Sequence, residues 1–154
     1  MSARFGFDLD PRSMTDEEKE VAAQAVAAYR RIRRLVQFGD LHRLVSPVGA
    51  DHAALAYVEP AITAATEAEG PCAVVFAFRL GGAATDEGNA WTIDGIAVPG
   101  LVEDRRYLVE DATPGSDSFG QVYERTGSEL SMTGVAWPST SAPSARVWVI
   151  SPGA

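Results

Sequence analysis

Histidine and cysteine are scarce in this chain: it has His42, His52 and the single thiol Cys72. One thiol excludes an internal disulfide, so folding requires no oxidising compartment. The two histidines stand ten positions apart, with no neighbouring thiolates and no helical H-E-x-x-H spacing. A zinc site is therefore not expected, and surface or sheet-edge histidines are. There is no G-x-S-x-G on a strand-to-helix turn, which excludes a nucleophile elbow. Gly81-Gly82 is an isolated pair with no following lysine and helix, so no phosphate loop is expected. No apolar run approaches the ~18 residues of a membrane span. Met1-Ser-Ala-Arg-Phe-Gly6 lacks the apolar core of a signal peptide. Positive charge is in deficit, with 13 Lys and Arg against 21 Asp and Glu and a formal net charge of −8. Nucleic acid needs a basic face and is not an expected partner. The sequence as given reads as cytoplasmic, without metal, cofactor or membrane, although a secretion signal on a longer parent would lie outside it.

What is present is ordinary globular material. The 154 residues suit one domain, or one domain with an appendage, and 46% of them are hydrophobic, which argues against disorder. Thr15-Asp-Glu-Glu18 has capping-box spacing, a hydroxyl followed three residues later by a glutamate. Val21, Ala25, Ala28, Tyr29, Ile32, Leu35 and Val36 then recur at offsets of three and four, which predicts one face of a helix of about twenty residues. Asp16, Glu17, Glu18 and Glu20 suit its positive end, and Arg30, Arg31, Arg33 and Arg34 suit its negative end. Gly39 is expected to stop it as a left-handed cap.

At Gly39-Asp40 the helical rhythm gives way to a strand rhythm, which divides the chain into residues 1–39 and 40–154. The segments Leu41–Ser46, Ala53–Glu59, Cys72–Leu80, Trp91–Ala97, Arg105–Glu110, Gly120–Arg125 and Ala145–Ser151 read as strands. All are short, rich in β-branched and aromatic residues, and separated by Gly, Pro, Asp and Ser. Seven or eight such strands without intervening helices imply a mainly β fold, an antiparallel, Greek-key-like β-sandwich behind one long amphipathic N-terminal helix. Residues 59–71 form either a long hairpin loop or a short helical turn. Ser128–Gly134 is read as a helical turn in preference to a strand. The strand ending in Val147-Trp-Val-Ile150 is apolar at nearly every position, so it is expected at the centre of its sheet or covered on both faces. Cys72, inside an apolar run, is read as a small buried hydrophobe.

Paired carboxylates for glycoside hydrolysis have candidates in Asp40, Asp94, Glu103, Asp104, Glu110, Asp111 and Glu124, but sequence spacing brings no two of them together. Aromatic platforms for sugar stacking are the better alternative. The aromatic candidates are Trp91, Trp137 and Trp148, with Tyr57, Tyr107 and Tyr123. Trp148 belongs to an apolar run and is assigned to the core. Trp91 and Trp137 remain as candidates for carbohydrate or interdomain contact.

Six segments, in order, resemble the C-terminal part of family 36 glycoside hydrolases, the α-galactosidases or melibiases. They are Phe5-Gly-Phe-Asp-Leu-Asp10 with Met14-Thr-Asp-Glu-Glu-Lys19; Tyr29 to Pro47, above all Gln37-Phe-Gly-Asp-Leu-His-Arg-Leu44; Ala73-Val-Val-Phe-Ala-Phe-Arg-Leu80; Gly100-Leu-Val-Glu-Asp-Arg-Arg-Tyr-Leu-Val109; Gly127-Ser-Glu-Leu-Ser-Met-Thr-Gly134; and Ser144 to Ile150. Two departures stand out. Residues 62–69 look inserted, and Met132-Thr133 stands where the family has Met-Asn. The resemblance implies that residues 15–38 correspond to the last helix of a catalytic (β/α)₈ barrel and residues from 40 onward to the terminal sandwich. It implies a parent that hydrolyses terminal α-galactosides with two aspartates on barrel strands. No position here matches those aspartates. The expectation is therefore a non-catalytic domain that packs against and stabilises the barrel, inactive alone. The alternative is a carbohydrate-binding module using Trp91 or Trp137. The apolar helix face from Val21 to Val36 must be buried somewhere, on the sandwich or in self-association, and the isolated chain is expected to expose part of it or to dimerise through it.

Overall fold

The computed structural model describes residues 6, 10–48, 52–60, 70–79, 95–136 and 144–153. The long helix, α1, spans Asp16–Phe38. Its capping box forms as the sequence predicts: the Glu18 N–H donates to the Thr15 hydroxyl at 3.2 Å, and the Thr15 N–H donates to the Glu18 carboxylate at 2.7 Å. That backbone donor, with the Thr15 hydroxyl, holds the Glu18 carboxyl below its usual range.

The far end of α1 differs from expectation in two ways. Gly39 is not left-handed but extended, with φ −73° and ψ 157°. It is glycine for reasons of space. A Cβ there would lie 2.6 Å from the Leu35 carbonyl oxygen and 3.0 Å from that of Val58, so the chain turns from helix into sheet through a gap with no room for a side chain. The last turn also carries no basic residue. The arginines end one turn earlier, at a level where two of them reach the sheet.

Six strands follow: β1 (Asp40–Val45), β2 (His52–Val58), β3 (Ala73–Arg79), β4 (Arg106–Asp111), β5 (Val122–Thr126) and β6 (Ser144–Pro152). A short helix, α2 (Gly127–Met132), stands between β5 and β6 and repeats the capping box with Thr126 and Glu129. The Ser128–Gly134 reading as a helical turn is thus correct. All pairings are antiparallel, in the order β1-β2-β3-β6-β4-β5. The class is as expected, mainly β with one long helix. The described strands number six, below the seven or eight anticipated, and they lie in one sheet. Trp91–Ala97 explains part of the shortfall. Residues 91–94 lie outside the described set, and the remainder makes a single bridge, Ile96 to Val135.

The placement of β6 follows from its sequence. It runs between β3 and β4, with Val75 opposite Trp148 and Val109 opposite Ile150. A strand paired on both edges and covered on both faces has no wet side, hence its continuous apolar run. The period-2 alternation sends Trp148 and Ile150 to one face and Val147 and Val149 to the other. On the first face they join Ala56, Val75, Tyr107, Val109 and the covering residues Ile96, Val98, Leu101, Leu130 and Val135. On the second face Ala28, Ile32, Leu35 and Val36 of α1 pack on Tyr57, Val74, Phe76 and Val149. Each large side chain buried there contributes about 1.5–3 kcal/mol of hydrophobic stabilisation. From Ala28 to Val36 the apolar face of α1 is therefore covered by the chain's own sheet and is not left open.

Candidate functional site

Polar side chains converge at two places, the β4–β5 connection and the seam between α1 and the sheet. At the first, Asp111 ends β4 on the face shared with Trp148 and is 6% exposed. The Thr113 N–H donates to its Oδ1 at 2.9 Å and the Ser118 hydroxyl to its Oδ2 at 2.5 Å. Arg146 of β6 brings Nη1 to 3.7 Å from Oδ2. The Val147 N–H donates to the Thr113 hydroxyl at 2.9 Å, which ties the loop to the central strand. Both oxygens of Asp111 are committed to donors inside the chain. The arrangement fixes a loop and leaves neither oxygen directed at a reacting atom.

At the second place, Arg31 donates from both terminal nitrogens to the Glu110 carboxylate, each at 2.7 Å. Arg34 does the same to Glu59 at 3.0 and 2.8 Å. The hydrogen bond from Arg31, aided by its charge, holds the Glu110 carboxyl below its ordinary value against the opposing effect of burial. Near the other end of α1, the Gln24 Oε1 accepts from the Gly115 N–H at 2.9 Å. Val21 stands 3.1 Å from where a Cβ on Gly115 would be. The helix is thus attached to β2, to β4 and to the β4–β5 loop.

The sequence candidates divide accordingly. Glu110 and Asp111 are adjacent on a strand and so point to opposite faces, one to Arg31 and one to Arg146; they form no catalytic pair. Glu124 pairs with Arg106 at 2.5 Å. Glu103, Asp104 and Asp40 are exposed. Asp94 lies outside the described residues. Trp148, 3% exposed, is core as expected. Tyr57 and Tyr107 are buried too. Tyr57 meets Phe76 edge to face at 6.4 Å, and the Tyr107 hydroxyl accepts from the Val102 N–H at 3.0 Å, so neither is a sugar platform. Tyr123 is half-buried beneath the Arg125 guanidinium, 5.0 Å from its ring centre. Trp91 and Trp137 lie outside the described residues. Cys72 is fully buried, its Sγ 3.5 Å from the Ile150 carbonyl oxygen, and burial pushes the thiol up to about 11. No described helix is long and apolar enough to cross a membrane.

Sequence reading did not foresee the Asp111 cluster or the two arginine seams. The D-x-T spacing at Asp111-Ala-Thr113 is a signal for a side chain turning back on its own backbone. Nothing in the sequence pairs Asp111 with Arg146, or Arg31 with Glu110, because strand order decides both.

No family model matches the chain. α-Galactosidase AgaA of Geobacillus stearothermophilus is 35% identical over 141 residues, which is 92% of this chain and 16% of that protein. α-Galactosidase 1 of Pediococcus pentosaceus is 36% identical over 59 residues, 38% of this chain and 8% of that protein. The crystal structure of the family 36 α-galactosidase AgaA superposes with a TM-score of 0.70 at 31% identity, covering 97% of this chain and 18% of that one. The chain thus spans less than a fifth of the length of the enzymes it matches along nearly all of its own. Identity and fold agree: the chain's homologues and structural neighbours are family 36 α-galactosidases, and it matches a small part of them, as a C-terminal region would.

Proposed function

We propose that this chain is a non-catalytic domain of an α-galactosidase-type glycoside hydrolase that packs against and stabilises the catalytic barrel. The parent's reaction would be hydrolysis of terminal α-galactosides. The observation that carries the reading is the match itself: 92–97% of this chain aligns with 16–18% of α-galactosidases in both sequence and fold. A segment of that size holds one small sheet and a helix, whereas acid–base cleavage of a glycoside needs two carboxylates converging on one sugar. The described carboxylates are spent on loop anchoring and helix attachment, or stand exposed. The boundary at Gly39-Asp40 belongs to the same proposal, with α1 as the element that joins barrel and sheet: its apolar face rests on the sheet and its outer face is polar.

Two measurements test this. The purified chain should release no nitrophenol from nitrophenyl α-galactosides; turnover by the chain alone defeats the reading. Deleting the matching segment from Geobacillus AgaA should abolish soluble, active enzyme, and grafting this chain in its place should restore folded α-galactosidase. A deletion enzyme that stays folded and active would also defeat it.

A further inference from the structure

We draw no further inference here: the strongest candidate, the apolar patch that Leu108 of β4 and Val122 of β5 leave exposed on the sheet face beside α1, carries nothing because nothing in the structure shows what covers it.

Discussion

Arg31 and Glu110 lie 79 positions apart in the chain and meet in a two-pronged ion pair with both nitrogen–oxygen distances at 2.7 Å. The pair fastens the middle of α1 to β4. Glu110 is mostly sheltered and Arg31 is 44% exposed at its side chain, so solvent screens part of the attraction. Glu110→Gln keeps the shape and removes the charge, and should lower unfolding free energy by about 1 kcal/mol at neutral pH.

The same pair sets a pH dependence. The Glu110 carboxyl is held below its ordinary 4.5, first by the hydrogen bond from Arg31. A carboxyl with a depressed folded pKa contributes stability above its unfolded value and loses it as pH falls through the folded one. Urea unfolding of the native chain and Glu110→Gln should therefore differ above pH 4.5 and converge below it. Curves that stay parallel into acid would show that the contact carries no ionic stabilisation.

α1 was legible in the sequence because its signals are local: Thr15 with Glu18 at one end and a period of three to four through Val36. β6 was legible for a related reason, since the unbroken apolar run Val147–Ile150 fits the interior of a sheet. Gly39 was found as a terminus but for the wrong reason. The close approach of the Leu35 and Val58 carbonyls comes from β2 running alongside, which no local pattern encodes. The ties between Arg31 and Glu110 and between Asp111 and Arg146 depend on β6 inserting between β3 and β4. That strand order joins segments far apart in the chain, and composition does not reveal it.

Gly39, Gly120 and Gly134 offer a graded test of space against backbone conformation. Gly120 has φ +80° with nothing within 4 Å of an added Cβ, so Gly120→Ala should cost only the left-handed strain, about 1 kcal/mol. Gly39→Ala has an ordinary φ but meets two carbonyl oxygens, and should cost about 1–3 kcal/mol. Gly134 has φ +70°, and a Cβ there would lie 2.0 Å from the Ile96 carbonyl oxygen. Gly134→Ala combines both penalties and should be the most damaging of the three. Thermal melts in one buffer give the order; a Gly134→Ala melt no lower than that of Gly120→Ala would refute this account of the α2 end.

Asp111 and Arg146 test how far the β4–β5 loop depends on one carboxylate. Their side chains are 9% and 15% exposed, so deleting the acid leaves a guanidinium in a poorly hydrated place and also removes the acceptor for Thr113 and Ser118. Asp111→Ala should cost about 2–4 kcal/mol. Arg146→Met in the same background should recover part of that loss, because the unpaired charge is then gone. Equal destabilisation in the single and double variants would mean that the loop hydrogen bonds, and not the ion pair, account for the effect.

Cys72 reports on the core independently. Its Cα precedes β3, its backbone N–H donates to the Ile150 carbonyl at 2.8 Å, and its thiol has no exposed surface. Thiolate is the reactive form, and with the thiol raised to about 11 by burial, very little of it exists at pH 8 even before access is considered. A disulfide reagent should therefore leave the native chain unlabelled at pH 8 and label one thiol per chain in urea. Under native conditions the labelling rate should follow the unfolding equilibrium, so the destabilising Gly134→Ala should speed it by the same factor by which it raises the unfolding equilibrium constant, about tenfold for each 1.4 kcal/mol lost. Rapid labelling of the unperturbed native chain would mean that the face holding Tyr107, Val109 and Ile150 opens without global unfolding, and would overturn the description of that core as closed.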